Sequence, residues 1–483
     1  MPTDDRRPTT HDPDHEKRPM RETPAPNRSD RPRLARRTFV TGVTAGALAL
    51  AGCTGDGDGD GDGDESPADD ESDDDSLDED TLEDIEVGPE FLEVEDPPDA
   101  VYLPTHREAM RMLDPIETGD YALAPMLSYP HPFWIVAGGA GEEDVSREDP
   151  DDGRGVHMMF TLWDPETGVV LPVDDGAELR VYRDGEQVGS PRSPWTMISQ
   201  EMGFHFGDNV PLPEDGRYTV EVDLPPLSTR TTGDLEGRFG ERTTARFEFV
   251  YDDAFRHEVG GGVDYLDEAE WGARDALEPM DHGGHGDGEH DDHGDDGHGE
   301  HDDHDGDHDS AEHSDGHGQD HDYVPYSALP TIDDYPGTLL VAPDADTPET
   351  ETHEDLPRSG DAAVLATVFE PGHRLADGDE RYFLVSPRTP YNRVPLPDAS
   401  LSITIERDDD SDPEHFDLEQ TIDGAFDHHY GTSVPETAIQ PGDVVTVTFD
   451  RPPQIARHQG YETAFLEMPP IELELPVDDS EDE

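Results

Sequence analysis

Forty-one consecutive residues near the middle of the chain, 281–321, carry eleven histidines and a single apolar side chain, an alanine. Folding offsets the entropy of ordering a backbone by burying apolar surface, and this stretch has almost none to bury. The 483 residues must therefore fold as two blocks, one on each side of it. A second stretch without a core, "TGDGDGDGDGDESPADDESDDDSLDED", follows Cys53 and is expected to be a flexible, self-repelling tether. Its Asp-Gly repeats offer oxygen ligands but lack the fixed acidic spacing of a calcium loop. The organisation expected is a signal segment over 1–52, a disordered acidic tether over 53–97 and a folded domain over 98–280. A disordered His/Asp/Gly-rich linker over 281–322, a second folded domain over 323–478 and an acidic tail over 479–483 complete it.

Both blocks are written in short apolar runs. The first has "YALAPML", "PFWIVAG", "VHMMFTLW", "ELRVYRD", "RYTVEVDL" and "ARFEFVY"; the second has "GTLLVA", "DAAVLATVF", "RYFLVSP", "SLSITIERD", "DVVTVTFD" and "IELELP". Several alternate apolar and polar residues with period two, and Gly, Pro and Asp clusters separate them. "DPETG" after Trp163 and "PEDGRY" before Val220 read as hairpin connections. About seven short strands per block at this spacing predict an all-β fold of two Ig-like antiparallel β-sandwich domains. "DEAEWGARDAL" is expected to close the first domain as a helix.

The formal charge is −88, from 120 acidic and 32 basic residues, and Lys17 is the single lysine. Such a surface repels phosphate, which excludes nucleic acid as a partner. High negative charge with almost no lysine looks like adaptation to molar salt, where the Debye length falls to about 3 Å and self-repulsion is screened. Cys53 is the only cysteine, so no internal disulfide forms. Its context is "ARRTFVTGVTAGALALAGC": twin arginines at Arg36 and Arg37, an apolar run too short for a good membrane span, then Leu-Ala-Gly-Cys. This order resembles a twin-arginine export signal ending in a lipobox, with Cys53 as the lipidated first residue of the mature protein.

The two blocks also read as distant copies in one order. "VHMMFTLWDPETGVVLPVDDGAELRVYRDGE" lines up with "RYFLVSPRTPYNRVPLPDASLSITIERDD", "ISQEMGFHFGDNVPL" with "EQTIDGAFDHHYGTSVPE", and "DGRYTVEVDLPP" with "PGDVVTVTFDRPP". His205 and His429 then share one place, a turn entering a strand. Seven of the eleven methionines lie between 110 and 202: Met110, Met112, Met126, Met158, Met159, Met197 and Met202. His106, His131, His157 and His205 are interleaved with them. Thioether sulfur is a soft ligand and imidazole a borderline one, a pairing that favours copper, Cu(I) above all; nearby carboxylates bring iron or Cu(II) within reach. The competing reading has the methionines filling a core and the histidines sitting on turns.

"TMISQEMGFHFGDNVPLPEDGRYTVEVDLPP" resembles the site segment of the bacterial periplasmic iron-transport family. Those are small Ig-like proteins that bind copper or iron and work beside a membrane iron permease. The resemblance is close from Thr196 to Pro226 and loose over the rest of the block. It implies that Met197 and His205 are ligands, with Gly203, Gly207 and Asn209 forming the turn beside them. The family carries a further histidine in a Gly-Arg-His loop before its last strand. Here the first block has Arg238 and Phe239 in "LEGRFGERT", while the second has His458 in "IARHQG". His429 is not preceded by a methionine; Leu418 or Ile422 stands in that area. An early-strand histidine is also implied, for which His131 in "SYPHPFW" and His373 in "FEPGHRL" are candidates, and His157 is the alternative. The candidate metal ligands are therefore His131, His157, His205, Met126 and Met197 in the first block and His373, His429 and His458 in the second.

The central run adds His282, His285, His290, His293, His298, His301, His304, His308, His313, His317 and His321. Imidazoles and carboxylates on a flexible chain are expected to gather zinc or other divalent ions loosely. The function expected is that of a lipid-anchored, extracytoplasmic binder of iron or copper, serving iron transport and feeding a permease. The family resemblance also implies a homodimer. The alternative is a cell-surface structural or interaction module with a metal-scavenging linker. No catalysis is expected: Cys53 is committed to the anchor, which removes a blue-copper site, and no Gly-x-Ser-x-Gly elbow, phosphate loop or His-Glu-x-x-His helix is present.

Overall fold

A computed structural model describes residues 89–476, apart from 140–143, 152–153, 173–175, 201, 275–323, 326–334, 336, 344–355 and 408–411. The chain divides into residues 1–81 and 82–483, and every described residue belongs to the second unit. Arg36, Arg37, Cys53, most of the acidic tether, the whole histidine run and the acidic tail lie outside the described residues. Among those described, no helix is long and apolar enough to cross a membrane.

The main strands of the first half are β1 (Met110–Met112), β2 (Tyr121–Ser128), β3 (Phe133–Val136), β4 (Gly155–Trp163), β5 (Glu178–Arg183), β6 (Glu186–Arg192), β7 (Trp195–Ser199), β8 (Gly203–Pro211), β9 (Gly216–Leu224), β10 (Arg230–Thr232) and β11 (Thr243–Tyr251), followed by helix α1 (Asp253–Gly261); short strands at His106–Arg107, Ile116–Thr118, Val145–Glu148 and Asp264–Tyr265 pair beside them. The second half contributes β12 (Ala362–Phe369), β13 (Arg381–Arg388), β14 (Ser400–Glu406), β15 (Glu414–Asp417), β16 (Glu419–Asp423), β17 (Asp427–Val434), β18 (Val444–Arg451), β19 (Ala456–Arg457) and β20 (Ile471–Glu474). One sheet of the first half runs β2-β4-β8-β7 and the other β11-β9-β5-β6. The second half repeats both orders, as β12-β13-β17-β16 and β20-β18-β14-β15. Even an isolated bridge recurs, Trp163 to Val170 after β4 and Arg388 to Pro395 after β13. The architecture is all-β, built from antiparallel sandwiches.

Burial explains the patterning. From Tyr218 to Leu224, β9 alternates buried and half-buried positions, with one face in the core and the other toward water. β2 and β4 are buried almost throughout, because their outer face is covered as well. Part of the cover is local, with Phe133 5.9 Å from the His157 ring, and the other half adds a strand at the sheet edge. β19 runs parallel to β7, with Ala456 opposite Met197 and Arg457 opposite Ile198, and it also pairs with β3. In return β10 runs parallel to β16, with Arg230 opposite Thr421 and Thr232 opposite Asp423. Each half thus lends the connection between two paired strands, β9 to β11 or β18 to β20, to the sheet edge of the other. The apolar interiors of both sandwiches form one continuous cluster, from Phe160, Phe206 and Tyr218 to Phe383, Ile403 and Val447.

Arg457 holds the lent segment in place. Its fully buried guanidinium donates to the carbonyl oxygens of Tyr461 (3.5 Å), Pro453 (3.4 Å) and Ala464, and it lies 5.8 Å from the Phe465 ring. Burial pulls its pKa down to about 9. Arg457→Met takes the guanidinium from all three carbonyls, of which that of Tyr461 keeps the Ala464 amide as a donor, and is expected to cost about 3 kcal/mol of stability. Denaturant unfolding in molar salt measures it, with Arg457→Lys expected to fall between variant and wild type.

Three expectations are corrected. The helix is α1, not "DEAEWGARDAL". Asp252 caps α1 by accepting from the Phe255 amide, and Phe255 and Val259 are buried. Residues 267–272 instead form turns, with Gly272 at φ +74° and the Trp271 indole donating to the Leu266 carbonyl. The tether stops short of 97: Phe91 packs 5.3 Å from the His106 ring, and the Leu92 carbonyl accepts from Thr105 and Gln459. Finally, Gly207, Asp208 and Asn209 form no turn. They lie inside β8, paired with Met159, Met158 and His157 of β4. The turn comes earlier, at Gly203, whose φ of +64° favours glycine.

Candidate metal centre

Residues opposite one another in an antiparallel ladder point to the same face, and successive residues point to opposite faces. In β4, β8 and β7, His157 faces Asn209, Met159 faces Gly207, and Met197 faces His205. These six share the outer face of the sheet. Met158, Phe160, Phe204, Phe206 and Ile198 alternate with them and fill the sandwich interior. His131, just after β2, and His458, just after β19, cover the outer face. His131, His157 and His458 place one ring nitrogen each within 4.8 Å of one another, all buried. Among the described residues, this histidine triad is a group that could hold a metal ion. His205 adjoins it through one member, with its Nε2 3.1 Å from the Nε2 of His458.

The hydrogen bonds on the far side of each ring decide what the near side offers. His131 Nδ1 lies 3.0 Å from the Pro132 carbonyl oxygen and His205 Nδ1 3.2 Å from that of Gly203. His157 Nδ1 lies 3.1 Å from Asn209 Oδ1, and that amide is oriented by its own donation to the His131 carbonyl at 2.9 Å. His458 Nδ1 lies 3.2 Å from Glu108 Oε1. Every one of these oxygens is an acceptor, so each Nδ1 carries the proton; that leaves the Nε2 atoms of His157, His205 and His458 as lone pairs, while His131 Nε2 is turned to the Glu108 carboxylate at 3.1 Å. His157 Nε2 is buried without a hydrogen-bond partner. The Nε2 atoms of His205 and His458 face each other as two lone pairs, a contact that a cation makes favourable.

Burial, reinforced by the neighbouring imidazoles, pushes the pKa values of His157 and His205 well below the ordinary value, and burial also lowers that of His458. Burial acts against protonation of His131, but the Glu108 carboxylate facing it, 3.1 Å from its Nε2, raises its pKa. Burial would raise the pKa of Glu108 itself; His131 and His458 hold it well below the usual range. Burial thus favours neutral rings at His157, His205 and His458, the form that can ligate, and one carboxylate sits at the rim.

Gly207 makes the room. A Cβ there would stand 2.9 Å from Met197 Sδ and 3.0 Å from His157 Nε2, so thioether and imidazole converge over a position that only glycine leaves open. A first-row ion such as zinc binds imidazole at about 2.0 Å, which sets tetrahedral donors about 3.3 Å apart. The 3.1 Å between His205 and His458 fits that spacing. The donors present suit a transition metal.

The second half holds the same scaffold with its centre filled. His429 faces Thr421 where His205 faces Met197, and Ser433 faces Tyr382 where Asn209 faces His157. A Cβ on Gly431 would collide with the Tyr382 phenol, and that hydroxyl lies 3.2 Å from His429 Nε2. Thr232 stands where the crossing strand places His458 in the first half, and it donates to Asp423. Burial lowers the pKa of His429 from 6.5 to about 4. Between those values the unfolded chain takes up a proton that the folded chain refuses. Stability is therefore full above about pH 6.5 and falls with pH, by about 3 kcal/mol from this group by pH 4. His429→Gln is expected to flatten the acid limb of a stability-pH curve by that amount.

Of the candidate ligands, His131, His157, His205, Met197 and His458 come together. Met126 lies on the same face, one strand further out, opposite Met159. His373 rests half-buried in the second half, 4.5 Å from the Phe369 ring, and His429 bonds to Tyr382. Sequence reasoning missed Glu108, whose carboxylate spans His131 and His458, and it missed the origin of His458 in the opposite half. One carboxylate among 120 acidic residues gave no signal.

Residues 333–474 match a family described as "Domain of unknown function (DUF7350)". No curated protein matches the chain. Similarity to solved structures is weak. A copper-bound variant of FetP from uropathogenic Escherichia coli strain F11 aligns at 17% identity, covering 29% of this chain and 97% of that one, with a TM-score of 0.21. FetP of the same strain, as isolated after periplasmic expression in E. coli BL21(DE3), aligns at 16% identity over 29% of this chain and 95% of that one, with a TM-score of 0.20.

Proposed function

We propose that this protein binds one transition-metal ion between its two halves, through His157, His205, His458 and the Met197 thioether, with His131 and Glu108 at the rim. The observation that carries this is the shared orientation of the imidazoles: each Nδ1 is spent on an oxygen, His157 Nε2 meets the Met197 thioether over Gly207, and the Nε2 atoms of His205 and His458 face each other at 3.1 Å. Imidazole with thioether favours copper, Cu(I) above all, and the rim carboxylate brings iron within reach. The activity we assign is capture and release rather than catalysis. Its place is iron transport at the outer face of the cell membrane, after twin-arginine export and anchoring through Cys53, with a membrane iron permease receiving the ion. The run over 281–321 gathers divalent ions loosely and raises their concentration near the centre. One chain supplies both sides of the site, so no second copy is needed to complete it.

Titration of the full chain in molar salt tests this, with Cu(I), Cu(II), Fe(II), Fe(III) and Zn(II) against a chelator that outcompetes the histidine run. One tight ion per chain is expected, lost in His157→Ala and in His205→Ala. Met197→Leu is expected to weaken Cu(I) about 10-fold and leave Zn(II) nearly unchanged, because only the soft ion gains from sulfur. Wild-type affinity in both histidine variants would overturn the assignment.

A further inference from the structure

A pocket opens beside the centre, and its walls include His106, Arg107, Glu108, Met110, Met202 and His458. His458 is common to the pocket and the buried cluster, so the two adjoin. Met110, in β1, and Met202, in the turn between β7 and β8, are only half-buried. A methionine that fills the core is fully enclosed, as Met158 is; these two border an opening. The third donor, a borderline imidazole, is His106. The Thr105 hydroxyl lies 2.8 Å from the Leu92 carbonyl, 2.9 Å from Gln459 Oε1 and 2.9 Å from His106 Nδ1. Thr105 has one proton and two oxygen acceptors to serve, so His106 Nδ1 is the donor in the third contact. That leaves His106 Nε2 as a lone pair.

We propose that this pocket is a transfer site for a soft monovalent cation of the Cu(I) class, held first by Met110, Met202 and His106 Nε2 and then passed through His458 to the buried centre; this rests on the metal-binding reading above. The chemistry of the surroundings explains the choice of donors. A chain of charge −88 concentrates every cation at its surface, hard and soft alike. Arg107 and Glu108 oppose each other in the pocket wall, so local charge adds little discrimination there. Thioether sulfur does discriminate, because it is a poor ligand for sodium, magnesium or calcium and a good one for Cu(I).

The test uses the full chain labelled with [methyl-13C]methionine and Ag(I) as a diamagnetic soft probe, in molar sodium nitrate so that silver stays in solution. Met197 reports on the centre, and Met110 and Met202 report on the pocket. In the wild type all three methyl resonances are expected to shift. In His157→Ala/Met197→Leu, Met110 and Met202 are still expected to shift together. Stopped-flow loading with Cu(I) should be about 10-fold slower in Met110→Leu/Met202→Leu, with an equilibrium affinity within about twofold of wild type. Met112→Leu, on the same strand but outside the pocket, should load at the wild-type rate. Unmoved Met110 and Met202 beside a shifted Met197, or unchanged loading in the double variant, would overturn the transfer site and leave the centre standing. An unmoved Met197 would overturn the centre and the transfer together.

Discussion

His458→Ala is expected to weaken metal binding about 100-fold or more, although the residue belongs to the half of the chain that supplies none of the other ligands. Its Nε2 stands 3.1 Å from that of His205, and its ring lies 4.8 Å from that of His131 and 5.4 Å from that of His157. Removing it takes away one ligand outright. It also leaves Glu108 with a single imidazole partner and opens the buried cluster to the adjoining pocket. Orienting partners of ligands alone are typically worth 10–100-fold in affinity, and a ligand is worth more. Chelator competition in molar salt reads the effect directly. Thr232→Ala removes the residue at the matching register position of the other half and is expected to leave affinity unchanged. If His458→Ala binds within threefold of wild type, the centre is not shared between the halves.

The second large effect is a gain. Thr232→His, Tyr382→His and Thr421→Met, combined in one chain, are expected to raise the tightly bound ions from one to two. The strand registers place these three residues where the first half has His458, His157 and Met197. His429 and Gly431 already stand where His205 and Gly207 do. What fills the space is the Tyr382 phenol, which sits over Gly431 and satisfies His429. Tyr382→Ala alone frees one imidazole and is expected to give weak binding only, since a single ligand holds no ion tightly. The triple variant loses the Thr232–Asp423 hydrogen bond, at a cost of about 1 kcal/mol. A stoichiometry that stays at one in a folded triple variant would show that the two positions are not equivalent.

Much of the fold was legible because strands of the outer sheets alternate. β9, β11 and β18 bury every second residue, and period two is a local signal. β8 was harder: Gly, Asp and Asn depress strand propensity, and "GFHFGDNVP" reads as a turn until it is known what each residue does there. Gly207 yields space, Asp208 pairs with Arg192 at 2.9 Å, and Asn209 orients His157. Those roles are tertiary, and so they outweigh propensity. Among the candidate ligands, Met197 and His205 are eight residues apart on neighbouring strands and could be read together. His458 lies 253 residues from His205, and no local pattern says that its loop crosses to the other sheet.

The mutual loan of β10 and β19 has a consequence for how such a molecule changes over time. In a symmetric pair of identical subunits, one substitution alters both sites at once, so a damaging change is felt twice. Here the two equivalent positions are encoded separately, and each is free to vary alone. A phenol can occupy one while the other keeps its imidazoles, and the occupied half still serves as a brace for its twin. With both halves in one chain, a division of labour is open to them: on the proposed reading one half grips the ion, and the other contributes a single histidine and a stable wall to lean on.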